Sequence, residues 1–146
     1  MKKVLYITTV DISSDSGVRK KIYGQIRVMR ESGFEVALIA PKGDDIVVVE
    51  VGPKGDERMG VVDSYMNKGP LRFFNLTRSL YRSAHEIANK DNYDAVFIRY
   101  SLAERNLVKM LGRLKEKGIK IFIEIPSYPY DLEYENKQWY KKFGLY

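Results

Sequence analysis

Apolar residues along this chain gather in short runs, separated by stretches in which they recur every three or four positions. "KVLYITTV" (Lys3–Val10) is a run rich in β-branched residues, and after the polar loop "DISSDSG" Val18, Ile22, Ile26 and Met29 fall on one helical stripe. Gly33 ends that helix, and "FEVALIA" (Phe34–Ala40) reads as a second buried strand closed by Pro41. Such a strand–helix–strand unit favours parallel pairing through a right-handed crossover. "DIVVVEV" (Asp45–Val51) is a further strand, followed by a Gly- and charge-rich turn, "GPKGDERMG". Beyond Pro70, Leu76, Leu80, Ala84 and Ile87 share a helical face, and "YDAVFIRY" (Tyr93–Tyr100) is again a strand. A helix marked by Leu107, Met110, Leu111 and Leu114 leads through Gly118 to the strand "IKIFIEI". Strands alternating with helices predict a single α/β domain over residues 1–146, an open, mainly parallel sheet covered by helices on both faces.

Length and composition narrow the chemistry. A chain of 146 residues buries roughly two-thirds of its unfolded surface, so its core needs no covalent staples. It has no cysteine and one histidine, His85, which excludes a disulfide framework, a thiolate metal site and a His-rich metal centre. A reducing cytosol suits such a chain. The opening "MKKVLYITTVD" has lysines before an apolar run, but Asp11 ends the run without a cleavage site, so it reads as a strand rather than a leader. No segment reaches the roughly 20 apolar residues of a membrane span, and a soluble, cytoplasmic protein is expected. The net charge of +6 suits phosphorylated ligands, an anionic membrane face or nucleic acid. The cations are spread over several helices rather than gathered in one arm, which weighs against nucleic acid.

Open parallel sheets bind ligands beyond the carboxyl ends of their strands. That rule singles out three polar loops, Asp11–Arg19, Arg99–Glu104 and Glu124–Asp131. In "DISSDSGVRKK", Ser16 and Gly17 precede a helix whose free N–H groups and dipole favour an anion, with Arg19, Lys20 and Lys21 adding charge. Equally, Ser16 or Asp15 simply caps the helix and the cations are solvated. Arg99 follows directly on "AVFI"; its guanidinium either holds a phosphate or carboxylate ligand, or pairs with Glu124 or Asp131 of the neighbouring loop. In "EIPSYPYDLEYE", Tyr128 and Tyr130 offer flat faces for sugar rings, while Glu124 and Asp131 supply acceptors; the alternative is a proline-stiffened connector with solvated acids. A carboxylate ending a buried strand must have a partner or a task. Separately, Arg72, Arg78 and Arg82 beside Phe73 and Phe74 either seat a basic amphipathic helix on an anionic membrane or belong to a helix packed on the sheet.

"SGVRKKIYGQIRVMRESGFEV", "DAVFIRY" and "KIFIEIPSYPYDLE" together resemble the amino-terminal half of bacterial family-4 glycosyltransferases of the GT-B fold, in members that build capsular polysaccharides and exopolysaccharides. The resemblance spans nearly the whole chain. It implies a Rossmann-like acceptor-side domain whose carboxyl-terminal partner domain binds most of a nucleotide sugar. Carried over, Ser16, Gly17, Val18 and Lys21 would face the donor phosphates. Arg99, Tyr100 and Tyr128 would hold a glycan or lipid-linked acceptor, with Glu124 and Asp131 as the catalytic acids. Transfer with retention and without a cofactor or bound metal is implied, the leaving phosphate being met by amides and cations. The isolated chain is expected to be inactive. A non-enzymatic, flavodoxin-like module that binds a phosphorylated small ligand is the competing expectation.

Overall fold

The computed structural model describes residues 2–52, 56–99 and 102–125. The chain runs through β1 (Lys3–Ile7), α1 (Gly17–Glu31), β2 (Glu35–Lys42), β3 (Asp45–Val51), β4 (Glu57–Ser64), α2 (Arg72–Lys90), β5 (Ala95–Arg99), α3 (Arg105–Glu116) and β6 (Lys120–Glu124). The strands form one sheet in the order β4-β3-β2-β1-β5-β6. β1 pairs parallel with β2 and β5, and β5 with β6; β2–β3 and β3–β4 are antiparallel. The predicted α/β architecture, mainly parallel with helices on both faces, is the observed one.

Its two faces follow from the two periodicities of the sequence. Leu5, Ile7, Ala37, Ile39, Val96 and Ile98 point to one face, where Leu76, Leu80, Ala84 and Ala88 of α2 and Leu107, Met110 and Leu114 of α3 meet them. Val4, Tyr6, Val36, Leu38 and Ala95 point to the other, where Ile22 and Ile26 of α1 close the core. Each fully buried aliphatic side chain contributes roughly 1.5–3 kcal/mol, so α1 is docked mainly by that isoleucine pair. Val18, on the same predicted stripe, is exposed. The helix packs on the sheet only from its second turn, and its first turn stands clear.

Two sequence expectations need correction. β2 does not stop before Pro41 but runs to Lys42, with Pro41 opposite Ile46 of β3. The β1 ladder ends at Ile39, so Pro41 lies beyond the doubly paired part of β2, where its missing N–H matters least. Gly43 and Asp44 then make a two-residue hairpin turn, with Gly43 at φ 62°, a conformation that glycine adopts without penalty. The second half of the supposed turn "GPKGDERMG" is strand β4, which lies at the sheet's edge and is exposed along almost all its length. An edge strand with no buried face leaves no alternation to read. β2, β3 and β4 therefore form an antiparallel arm beside the parallel centre.

Candidate functional site at the carboxyl edge of the sheet

β1, β2, β5 and β6 deliver their carboxyl ends to one edge, the place where such sheets bind ligands. The loop after β1 is held there tightly. Ile12 is buried and its N–H bonds the Pro41 carbonyl at 3.0 Å. The Asp11 carboxylate accepts from the Ser13 N–H at 2.8 Å and from the Gly43 N–H at 3.3 Å. These bonds fix where α1 begins.

Ser16 is the N-cap of α1, its Oγ accepting from the Arg19 N–H at 3.1 Å. The capping role is thus filled. Gly17 opens the helix, and apart from its chain neighbours and the helix's own backbone no atom among the described residues lies within 4 Å of where a Cβ would stand on it. The space over the first turn is open. Of the nearby cations, Arg19 lies 5.4 Å from the Tyr23 ring centre, and Lys20 makes an exposed 3.8 Å ion pair with Asp15. Lys21 turns toward the sheet edge and reaches Glu124 Oε1 at 3.3 Å.

Glu124 is the hub. It sits opposite Arg99 in the β5–β6 ladder, and Arg99 Nη1 donates to its Oε2 at 3.0 Å. Gln25 Nε2 donates to Oε1 at 3.1 Å. Lys21 and Gln25 are four residues apart, so α1 presents both on one face. The Gln25 amide is itself oriented, because the Tyr6 hydroxyl donates to its Oε1 at 2.6 Å. Tyr6 is fully buried, with its ring stacked on Phe97 at a centroid distance of 5.0 Å. A chain of hydrogen bonds therefore runs from the core, through Tyr6 and Gln25, to a carboxylate at the sheet's edge.

The electrostatics of this chain decide its protonation. Burial works to raise the Glu124 pKa, but the Gln25 hydrogen bond, the Arg99 charge, and the bond and charge of Lys21 together outweigh it, leaving the group below the ordinary carboxylate value. It is ionised at neutral pH. Burial, reinforced by the Glu124 charge, pushes the Tyr6 hydroxyl up to about 12, so it remains a donor. The Arg99 side chain is 9% exposed and that of Glu124 17%, against 53% for Lys21. Lys21 is therefore the member of the cluster with most room for an additional anionic partner.

Sequence reasoning placed Ser16, Gly17, Val18, Lys21, Arg99 and Glu124 at one edge, and they lie there. Lys21 and Arg99 each contact Glu124, while Ser16, Gly17 and Val18 stand about one turn away at the start of α1. Tyr100, Tyr128 and Asp131 lie outside the described residues. The polar character of the Arg99–Glu104 loop is partly a capping matter, since Glu104 accepts from the N–H groups of Asn106 and Leu107 at 2.9 and 2.8 Å. Sequence reasoning missed Gln25 and Tyr6. The available signals were a Gln one turn after Lys21, between two buried isoleucines, and a hydroxyl in an otherwise apolar strand. A separate cleft of about 860 Å³, with Arg27, Arg30, Arg58, Glu31 and Glu50 in its lining, lies toward the opposite end of α1.

No family model matches the chain, and no curated protein matches its sequence. Among solved structures, the catalytic domain of starch synthase IV from Arabidopsis thaliana, bound to ADP and acarbose, matches with a TM-score of 0.57 at 12% identity. The match covers 84% of this chain and 33% of that one. The neighbour is a GT-B glycosyltransferase catalytic domain. The fold of this chain is therefore Rossmann-like, of the GT-B kind. At that identity the likeness speaks for the fold alone, and the chain spans about a third of the neighbour's length.

Proposed function

We propose that this chain is the acceptor-side half of a retaining, GT-B-type hexosyltransferase that moves a sugar from a nucleotide sugar to a glycan or lipid-linked acceptor. The observation that carries the reading is the meeting of Lys21, Arg99 and Gln25 on the ionised Glu124, beside the open first turn of α1 at the ligand-binding edge of the sheet. Arg19, Lys20 and Lys21 lie close to a helix amino terminus, where the macrodipole disfavours cations. A bound phosphate would offset that cost, with the amides at Gly17 and Val18 and the Lys21 ammonium as its donors. The fold neighbour's ADP and acarbose are in keeping with a nucleotide and a sugar as ligands of this architecture.

In this reading the ionised Glu124 accepts a hydrogen bond from an acceptor hydroxyl and orients it, its lowered pKa making it a poor base for taking the proton. Arg99 holds Glu124 in place, and by the family-4 resemblance Asp131, Tyr100 and Tyr128 would serve the acceptor. The donor's nucleotide is held by a second, carboxyl-terminal domain, and no bound metal or cofactor takes part. The family-4 resemblance favours a cytoplasmic enzyme of capsule or exopolysaccharide assembly. The test is transfer from labelled ADP-, UDP- and GDP-sugars by the chain joined to a donor-binding domain, in the native enzyme and in Lys21→Ala. Sugar-dependent transfer that falls about tenfold or more in Lys21→Ala, an amount typical of a lost charge-assisted contact, supports the reading. Transfer indifferent to Lys21 would refute the phosphate site.

A further inference from the structure

A second feature of the same edge is unrelated to Glu124. β4 runs in the same direction as β2, so the loop from Ser64 to Leu71 emerges at the carboxyl edge, about three strand spacings, or ~14 Å, from β1. There the chain exposes apolar side chains in succession. Met66 is 72% exposed, Leu71 63%, Phe73 39% and Phe74 44%, and none belongs to either core cluster. The remainder of α2 is docked normally, with Leu76, Leu80 and Ala84 buried against the sheet. Packing therefore accounts for the helix body and not for its first turn.

The loop is tied to the β2–β3 turn, the Tyr65 N–H donating to the Asp44 carbonyl at 3.0 Å. The Tyr65 hydroxyl and Asn67 Nδ2 both donate to the Gly43 carbonyl, at 2.9 and 3.3 Å, and Asn75 Nδ2 donates to the Met66 carbonyl at 3.3 Å. Charge accompanies the apolar side chains with one sign: between Ser64 and Arg82 the sequence has four cations, Lys68, Arg72, Arg78 and Arg82, and no acid. Arg82 is engaged by Asp63 at 2.7 Å. Lys68, Arg72 and Arg78 are exposed and make no ion pair among the described residues.

We infer that this edge docks on an anionic lipid bilayer, with Met66, Leu71, Phe73 and Phe74 entering the headgroup boundary and Lys68, Arg72 and Arg78 lying on lipid phosphates. Two aromatic rings and two flexible aliphatic chains amid unpaired cations, with no acid between them, match the chemistry of an interfacial anchor. The site-bearing edge of the sheet then faces the membrane. The inference goes beyond the sugar-transfer reading and does not depend on it.

The test uses the purified chain in co-sedimentation with vesicles of phosphatidylcholine alone and of phosphatidylcholine mixed with phosphatidylglycerol. No nucleotide or sugar is present, so its outcome is separable from that of any transfer assay. Binding is expected on the mixed vesicles, weakening with salt. Lys68→Glu/Arg72→Glu should cut it by more than about tenfold, since each cation near such a surface is worth roughly fivefold. Leu71→Ser/Phe73→Ser/Phe74→Ser should reduce it at least as much, with an unchanged far-ultraviolet spectrum. Val108→Ser, which removes an equally exposed apolar side chain from α3, should bind as the parent does. Failure of the parent chain to bind, or binding that neither multiple variant alters, overturns the inference. So does loss of self-association in the patch variants by a chain that ignores vesicles, which would make the patch an interface between two copies.

Discussion

At the scale of single residues, Glu124 and Tyr6 carry the strongest expectations. Glu124→Gln keeps the shape but weakens the contacts to the nearly buried Arg99 and to Lys21, and should cost about 1–3 kcal/mol at neutral pH. The pH dependence has a definite sign. The folded Glu124 pKa lies below its ordinary value of 4.5, so its stabilisation is complete above that value and is lost as pH falls through the lower folded value. Melting curves of parent and variant should therefore converge in acid, below the usual carboxylate range. Tyr6 works in the other direction. Its pKa of about 12, against an ordinary 10.0, means that stability is lost as pH rises from roughly 10 toward 12. Tyr93, raised to about 12 mainly by burial with help from the Asp91, Glu50 and Glu35 charges, loses stability in the same window. Tyr6→Phe should cost about 1 kcal/mol by removing the bond to Gln25, and should blunt the alkaline loss without abolishing it. Ultraviolet tyrosinate titration alongside alkaline melting checks both points.

At the scale of elements, α1 is the part whose two candidate roles can be separated. Ser16→Ala removes the cap and should lower stability by about 1 kcal/mol. Gly17→Val meets open space and a helical, negative φ, so folding should be nearly unaffected while anion binding over the first turn is crowded out. Thermal melting and a phosphate or diphosphate titration on the two variants distinguish them: loss of binding in Gly17→Val with an unchanged melting temperature is the expected pattern. The helices were legible in the sequence because each buries one apolar stripe, Leu76, Leu80 and Ala84 on α2 being the plainest. β4 was not, because an exposed edge strand buries nothing and its Gly and charged residues imitate a turn. The Pro41 boundary failed for a related reason, since a proline ends a strand only where its N–H would have been needed.

At the scale of the whole molecule, the parallel centre of the sheet and its antiparallel arm bring three separate features to one edge: the open helix turn at Gly17, the Glu124 cluster and the basic apolar loop around Phe73. The topology explains why Lys21, Arg99 and Glu124, far apart in sequence, could be assigned to one place from the strand–helix order alone. The Arg99–Glu124 pair was one of two alternatives the sequence offered for Arg99, and it is the one observed; that Lys21 would reach the same carboxylate was not legible, because the rotation of α1 is set by packing. Gln25 and Tyr6 were hidden for the same reason. In the proposed reading this edge, and not the opposite cleft lined by Arg27, Arg30 and Arg58, takes the phosphates of a nucleotide sugar. Amide chemical shifts of the isotopically labelled chain, joined to a donor-binding domain, test this most directly when followed as a nucleoside diphosphate and then a nucleotide sugar are added. Movement is expected to centre on Gly17, Val18 and Lys21 and to vanish in Gly17→Val; movement in this chain confined to the residues around Arg27, Arg30 and Arg58, or none at all, would overturn the phosphate site.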